Sequence, residues 1–470
     1  MSTVVSQLAG LADGPVPEKV RAGICSRIID IVGIAGRAST LETSQAVIGF
    51  AVDQGTAPQA TAIGAPRAVS AAEAAFVNGV LAHSLDYDDT HLPSILHPSA
   101  PVVPAALAVA EWQSASGAAL LDAVAVGLET TVRLGMGGYD PQARQSVYFE
   151  RGQHATSICG AVGSAAAAGR LLQLGRDGIA HAMGIACSMA SGIIEANRAG
   201  GTVKRLHCGW AARAGVTAAQ LAARGITAPP TAIEGRFGLF QAFLGDQSNL
   251  DAVTAALSDR WHCDEIFYKP YPANHFTHTG IDAAMALRRR GVCASDVVCA
   301  TLEVAPPTVR TIGEPIEAKR KPESGYQAQF SGPYTVVAGL LGGAGLGVGL
   351  DDFSDALAAD PLRRELMARV DVAGDPRLME IYPNQLPARL SVTTTSAETL
   401  VEEVLANRGG PNRPLSTSEL AAKYTNNTAG LLPSEVAARI HERLSGLSDI
   451  DSVDGLLDPL QRTRLPEVRP

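Results

Sequence analysis

At 470 residues, 46% hydrophobic and 18% charged, the chain is too long for one hydrophobic core and too apolar to be disordered, so two domains are expected. A net charge of −9 excludes the basic surface that nucleic acid requires, and an anionic ligand would need a locally cationic pocket. The seven cysteines are scattered without a C-x-x-C pair, and no run approaches about 18 uninterrupted apolar residues, which argues against a disulfide framework, a thiolate metal site and a membrane span.

The opening stretch MSTVVSQLAGLADGPVPEKV has neither a basic n-region nor an apolar h-region, so the expected location is the cytoplasm. Pro15 and Pro17 open a helix in which Val20, Ile24, Ile28, Ile31 and Val32 recur at spacings of three and four, one buried face. Ser70-Ala-Ala-Glu73 has the form of a capping box, and AAFVNGVLAHSLD after it reads as a mostly apolar helix ending near Asp86. Helices are expected at about 98–113, 117–135, 154–173, 176–193 and 209–224. The glycines of Gly160-Ala-Val-Gly163-Ser-Ala-Ala-Ala-Ala-Gly169 fit no phosphate-loop pattern and are read as close-packing positions between helices.

Strand character begins only beyond about residue 265, at Val297–Val304, around Val370 and Val372, and at Leu390–Thr395. Helices return at Ser416-Thr-Ser-Glu419, a second capping-box pattern, and after Pro433. The tail beyond about 455 is expected to be a surface extension. The organisation is therefore mainly α: a helical domain in two segments, 1–265 and 399–470, interrupted by a smaller α+β domain at 266–398.

Chemistry-bearing residues gather in a few places. Asp86-Tyr-Asp88-Asp89-Thr-His91, with His97 six residues on, concentrates carboxylates and imidazoles at a helix end; proton transfer and helix capping both explain it, whereas the spacing matches no EF-hand or H-E-x-x-H metal motif. His154 begins an Ala-rich helix, and Lys204-Arg205-Leu-His207 precedes another, places where backbone N–H groups attract anions and disfavour a charged imidazole. In Lys269-Pro-Tyr-Pro-Ala-Asn274-His275-Phe-Thr-His278 two prolines fix the backbone around a lysine suited to a substrate carboxylate. Tyr334, at the start of an apolar helix, could donate a proton or simply pack.

Taken together, AAFVNGVLAHSLDYDDTH with HPSA, GQHATSICGAVGSAAAA, VKRLHCGWAARAG with IEGRFGLFQAF, YKPYPANHFTH and KRKPESGYQAQFSGPY resemble the MmgE/PrpD family, which includes 2-methylcitrate dehydratase, cis-aconitate decarboxylase and iminodisuccinate epimerase. The resemblance implies a large all-α domain with an inserted α+β lid domain, a homodimer, no metal and no cofactor. It also implies a pocket of Asp86, His97, His154, Lys204, Lys269 and Tyr334; beside these, Arg205, His207, Asn274 and His275 are candidate substrate-binding residues. Two departures stand out. Asn274 occupies the place where the decarboxylase branch would put a histidine, and one extra residue separates Asp86 from His97. On these grounds the expected reaction is loss of water from a 2-methylcitrate-like hydroxy acid; decarboxylation, epimerisation of an amino or imino dicarboxylate, and ligand binding without chemistry are the alternatives.

Overall fold

The computed structural model describes residues 2–257 and 259–462. Helices take 57% of it and strands 9%, so the fold is mainly α, as the sequence implies. The chain divides into two compact units, one made of the residues up to Ile266 together with those from Tyr424 on, the other of Phe267–Lys423.

The first unit begins with α1 (Val4–Asp13), α2 (Glu18–Ala38) and α3 (Glu42–Asp53). The five aliphatics of α2 singled out by their spacing, Val20, Ile24, Ile28, Ile31 and Val32, are all buried, each contributing roughly 1.5–3 kcal/mol. α4 (Ala71–His83) follows, capped by the Ser70 hydroxyl, which accepts from the Glu73 amide at 3.3 Å. Glu73 does not complete the capping box, because its carboxylate pairs with Arg213 at 2.5 Å. With every residue except Ala72 buried, α4 is a central helix without a solvent face.

Around it lie α5 (Ser99–Trp112), α6 (Gly117–Met136), α7 (Ala155–Leu171), α8 (Gly175–Met189) and α9 (Leu206–Ala222). Small residues set these crossings. A Cβ on Gly163 of α7 would lie 2.5 Å from the Gly127 carbonyl oxygen of α6, and one on Gly160 would lie 2.5 Å from Pro101 of α5. The glycine-rich stretch is thus a packing surface, not a phosphate loop. At the α4–α9 crossing a Cβ on Gly79 would lie 2.8 Å from the Gly209 Cα, so the two backbones touch.

The second unit holds α10 (His278–Arg289), β1 (Val297–Val304), α11 (Gly332–Leu341), β2 (Val370–Gly374), β3 (Ala388–Thr394) and β4 (Thr399–Val404). The sheet order is β2-β1-β3-β4, with β1–β2 parallel and the other pairs antiparallel. Buried Ala300, Leu302 and Val304 of β1 stand opposite buried Val392, Leu390 and Ala388 of β3, and share one core with residues of α10 and α11.

Three boundaries differ from expectation. α4 stops at His83, and Asp86 adopts φ +50° beyond it. The α+β unit runs past 398 to Lys423, because Thr399–Val404 adds the edge strand β4 and Arg413 pairs with Asp282 of α10 at 2.7 Å. Finally, the chain beyond 455 is packed as far as it is described: Leu456, Leu457 and Leu460 are buried, and the Leu460 carbonyl accepts from the Gly64 amide at 2.9 Å. Within α12 (Thr417–Thr428) the chain passes from the second unit to the first, and α13 (Ser434–Ser445) belongs to the first. The Ser416/Glu419 capping box is complete, with the Glu419 amide on the Ser416 hydroxyl at 3.2 Å and the Ser416 amide on the Glu419 carboxylate at 2.7 Å.

Candidate active site

In the helical unit the C-terminal end of α4 and the N-terminal ends of α7 and α9 come together, and the loop between α4 and α5 closes over them. That loop turns first at Asp86, a left-handed conformation that Asp tolerates better than most residues. It then folds on itself: the His91 amide donates to the Leu96 carbonyl at 2.8 Å, and His91 Nδ1 meets the Ser94 hydroxyl at 2.6 Å. His91 is therefore a loop-holding residue.

The three aspartates of the loop have different partners. Asp86 Oδ1 lies 3.6 Å from Lys204 Nζ, both side chains being buried. Asp88 Oδ2 lies 2.7 Å from Nδ1 of His83, the last residue of α4. Asp89 is structural: its carboxylate accepts from the Ser99 amide at 3.2 Å at the start of α5, from the Ser99 hydroxyl, and from Arg27 Nη1 of α2 at 3.1 Å.

Two hydroxyls in the first turn of α7 bind the neighbouring segments. Thr156 Oγ1 accepts from the His97 amide at 3.1 Å, and Ser157 Oγ donates to the His207 carbonyl at 3.0 Å. As a result His97, His154 at the N-cap of α7, and His207 in the first turn of α9 form one cluster with His83. Ring centroids are 5.2 Å apart for His83–His97, 5.5 Å for His83–His154 and 5.0 Å for His154–His207. Arg205, on the turn before α9, instead donates to the Thr43 hydroxyl of α3 at 2.8 Å.

Geometry fixes much of the proton inventory. A carbonyl only accepts, so the 2.7 Å contact of His97 Nδ1 with the Asp89 carbonyl puts the proton on Nδ1 and, in the neutral ring, the lone pair on Nε2. His154 Nδ1 and His207 Nδ1 are 2.9 Å apart, so one donates and the other accepts. Burial, reinforced by the charges of His83 and Lys204, lowers His154 well below the usual imidazole range and His207 to about 4. Both rings are thus neutral near neutral pH, with opposite tautomers, a base and a weak acid side by side. Lys204 and the N-terminal ends of α7 and α9 supply positive potential beside them.

The remaining candidates lie in the α+β unit. Lys269 is buried there, as is His275, whose ring stacks on His278 at 4.4 Å. Asn274 caps the turn that follows it, its side-chain oxygen accepting from the Phe276 amide at 3.1 Å. Tyr334 is fully buried in the core of that unit, with its hydroxyl donating to the Asp352 carbonyl and lying 3.4 Å from Arg363 Nη1. Burial pushes that hydroxyl up to about 12, so of the two roles open to it in the sequence, packing is the one this environment favours.

Comparison with known proteins places this arrangement. The MmgE/PrpD N-terminal domain matches residues 6–250 and the MmgE/PrpD C-terminal domain residues 271–448. The chain belongs to the MmgE/PrpD family. Similar proteins include the human cis-aconitate decarboxylase, 31% identical over 84% of this chain and 80% of its own length, and the mouse cis-aconitate decarboxylase, 29% identical over 97% and 94%. A cis-aconitate decarboxylase-like protein of Aspergillus oryzae is 28% identical over 84% and 83%. This MmgE/PrpD chain is accordingly an enzyme of the lyase class.

Within the MmgE/PrpD chain, sequence reasoning gathered Asp86, His97, His154, Lys204 and His207, which the fold brings to one place, but passed over His83. The signal was present: a lone imidazole in an apolar helix, five residues before an aspartate. Among the described residues no helix is long and apolar enough to cross a membrane.

Proposed function

We propose that this MmgE/PrpD lyase acts on a small polycarboxylate and that its leaving group is carbon dioxide, the substrate being an unsaturated tricarboxylate such as cis-aconitate. The observation that carries the reading is the hydrogen-bonded His154–His207 pair beside the Lys204–Asp86 ion pair. Lys204 holds a substrate carboxylate. A second carboxylate leaves as carbon dioxide when its C–C bond breaks, and the electron pair moves onto carbon conjugated with a remaining carboxylate. An imidazole N–H of the cluster then protonates that carbon, so a tricarboxylate trianion and one proton become a dicarboxylate dianion and carbon dioxide. A fixed cation in a site with little water stabilises the charge as it develops. The names of the similar proteins move the preference from water to carbon dioxide.

Loss of water from a 2-methylcitrate-like hydroxy acid is the second reading. One base-competent and one donor imidazole suit removal of a C–H proton and protonation of a leaving hydroxyl. The test is incubation in heavy water with citrate-, aconitate- and aspartate-derived acids, followed by NMR and carbon dioxide capture. Carbon dioxide release with deuterium in the dicarboxylate product is expected. Water loss alone would establish the second reading, deuterium exchange with scrambled stereochemistry an epimerase, and binding without change a silent relative.

A further inference from the structure

One buried pair takes no part in the proposed reaction. His83 and Asp88 meet through Nδ1 and Oδ2 at 2.7 Å with side chains 1% and 0% exposed. A carboxylate accepts, so Nδ1 carries the proton and any second proton must sit on Nε2. That Nε2 is buried and makes no hydrogen bond. A pair serving only the fold would be expected to satisfy both ring nitrogens, since an unsatisfied buried polar atom costs about 1–3 kcal/mol. The ring sits between His97, at 5.2 Å, and His154, at 5.5 Å.

We infer that His83 is a positioning residue of this site: Asp88 fixes its ring, and the charge state of that ring governs how the proton is held between His154 and His207. The inference rests on the acid–base reading of the cluster given above. The titratable and charged groups around the pair are Asp86, Asp89 and His97 from the same loop, Arg27 of α2 paired with Asp89, His154 from the N-cap of α7, and Lys204, His207 and Cys208 from the start of α9. Among these neighbours His83 is the charge that most opposes protonation of both His154 and His207, second only to burial itself. The N-terminal ends of α7 and α9, where His154 and His207 sit, likewise oppose a cation on those two rings.

The experiment is a pH titration by NMR of the full chain carrying 13C-labelled histidine, in which the ring signals of its ten histidines are followed and assigned by single substitution. His83→Asn keeps a donor towards Asp88 and removes the titrating nitrogen. It is expected to raise the midpoint of His154, whose ring lies 5.5 Å from that of His83, by about one pH unit, the size expected when a like charge at that range is lost and partly screened, and to move His207 in the same direction. Unchanged midpoints in a folded variant would overturn the inference. In the unmodified protein the His154 and His207 signals must also respond over whatever pH range the His83 signals move, a requirement that stands whether or not the variant folds. The acid limb of kcat/KM should shift up with the midpoints. If no tested acid is turned over while the midpoints shift, it is the substrate reading that fails and the coupling that stands.

Discussion

The Nδ1 atoms of His154 and His207 lie 2.9 Å apart, so the two rings share one proton and act as a unit. Replacing either with Ala is expected to lower kcat/KM by about 10²–10⁴, the usual contribution of a positioned acid or base. The double variant should be little worse than the worse single one, because groups that act together are not additive. Steady-state kinetics on the three variants checks this, and multiplicative losses would mean that the rings act independently.

Burial also makes the pair a pH-sensitive element of stability. His207 falls from an ordinary 6.5 to about 4 on folding, and His154 shifts in the same direction. Between those two values the unfolded chain binds more protons than the folded one, so stability is fully present above about pH 6.5 and is lost as pH falls towards 4. Burial raises Asp89 to about 6, which acts in the opposite sense over the same window, so the contribution of the pair is read as a difference: as pH falls from about 6.5 to 4 the melting temperature of the parent should fall relative to that of His207→Gln. A variant melting curve that keeps the full slope would assign the acid sensitivity to other groups.

The aspartates of the loop should separate by readout. Asp89→Ala removes the buried carboxylate that pairs with Arg27 and caps the start of α5, and breaking a buried pair costs about 3–5 kcal/mol, so denaturant unfolding should show a much less stable protein. Asp86→Asn keeps a residue that tolerates φ +50° and removes the charge beside Lys204. It should fold normally and lose turnover. The reverse pattern would exchange the two roles.

How much of this was legible depended on whether a residue's neighbours are near in sequence. The helical body was readable because the period of α2 and the capping serine of α4 are local signals. The convergence of His97, His154 and His207 was readable only as a resemblance, since the hydroxyls that join them, Thr156 and Ser157, act on partners 59 and 50 residues away. Strand β4 was missed because its residues, Thr-Leu-Val-Glu-Glu-Val, are only partly buried and carry no clean alternation. The packed tail was missed because three leucines among polar residues acquire a core only where the helical unit receives them.

Tyr334 offers a sharp separation of packing from chemistry. Its hydroxyl already donates to the Asp352 carbonyl within the core of the α+β unit. Tyr334→Phe should therefore cost about 1 kcal/mol of stability, the net value of one hydrogen bond, and leave kcat unchanged. A large fall in kcat in a stable variant would restore the proton-donor role.

The contact between α4 and α9 sets the spacing of the site, and glycine is what permits it. A Cβ on Gly209 would lie 2.3 Å from the Phe76 carbonyl oxygen and 2.9 Å from the Val80 amide nitrogen, backbone atoms that cannot turn aside as a side chain could. Gly209→Ala must therefore push α9 off α4, at a cost of about 1–3 kcal/mol for overpacking. Because His207 lies on the first turn of α9 and His83 at the end of α4, their separation changes with it. Misplacement by about 1 Å can cost on the order of 10²-fold in rate, so turnover should fall more than stability alone would explain. Gly23 on α2 is the control, since nothing lies within 4 Å of its added Cβ. There Gly→Ala should stabilise by roughly 0.5–1 kcal/mol with turnover unaffected. If Gly209→Ala only lowers the melting temperature and leaves kcat intact, the crossing supports the fold without setting the geometry of the histidine cluster.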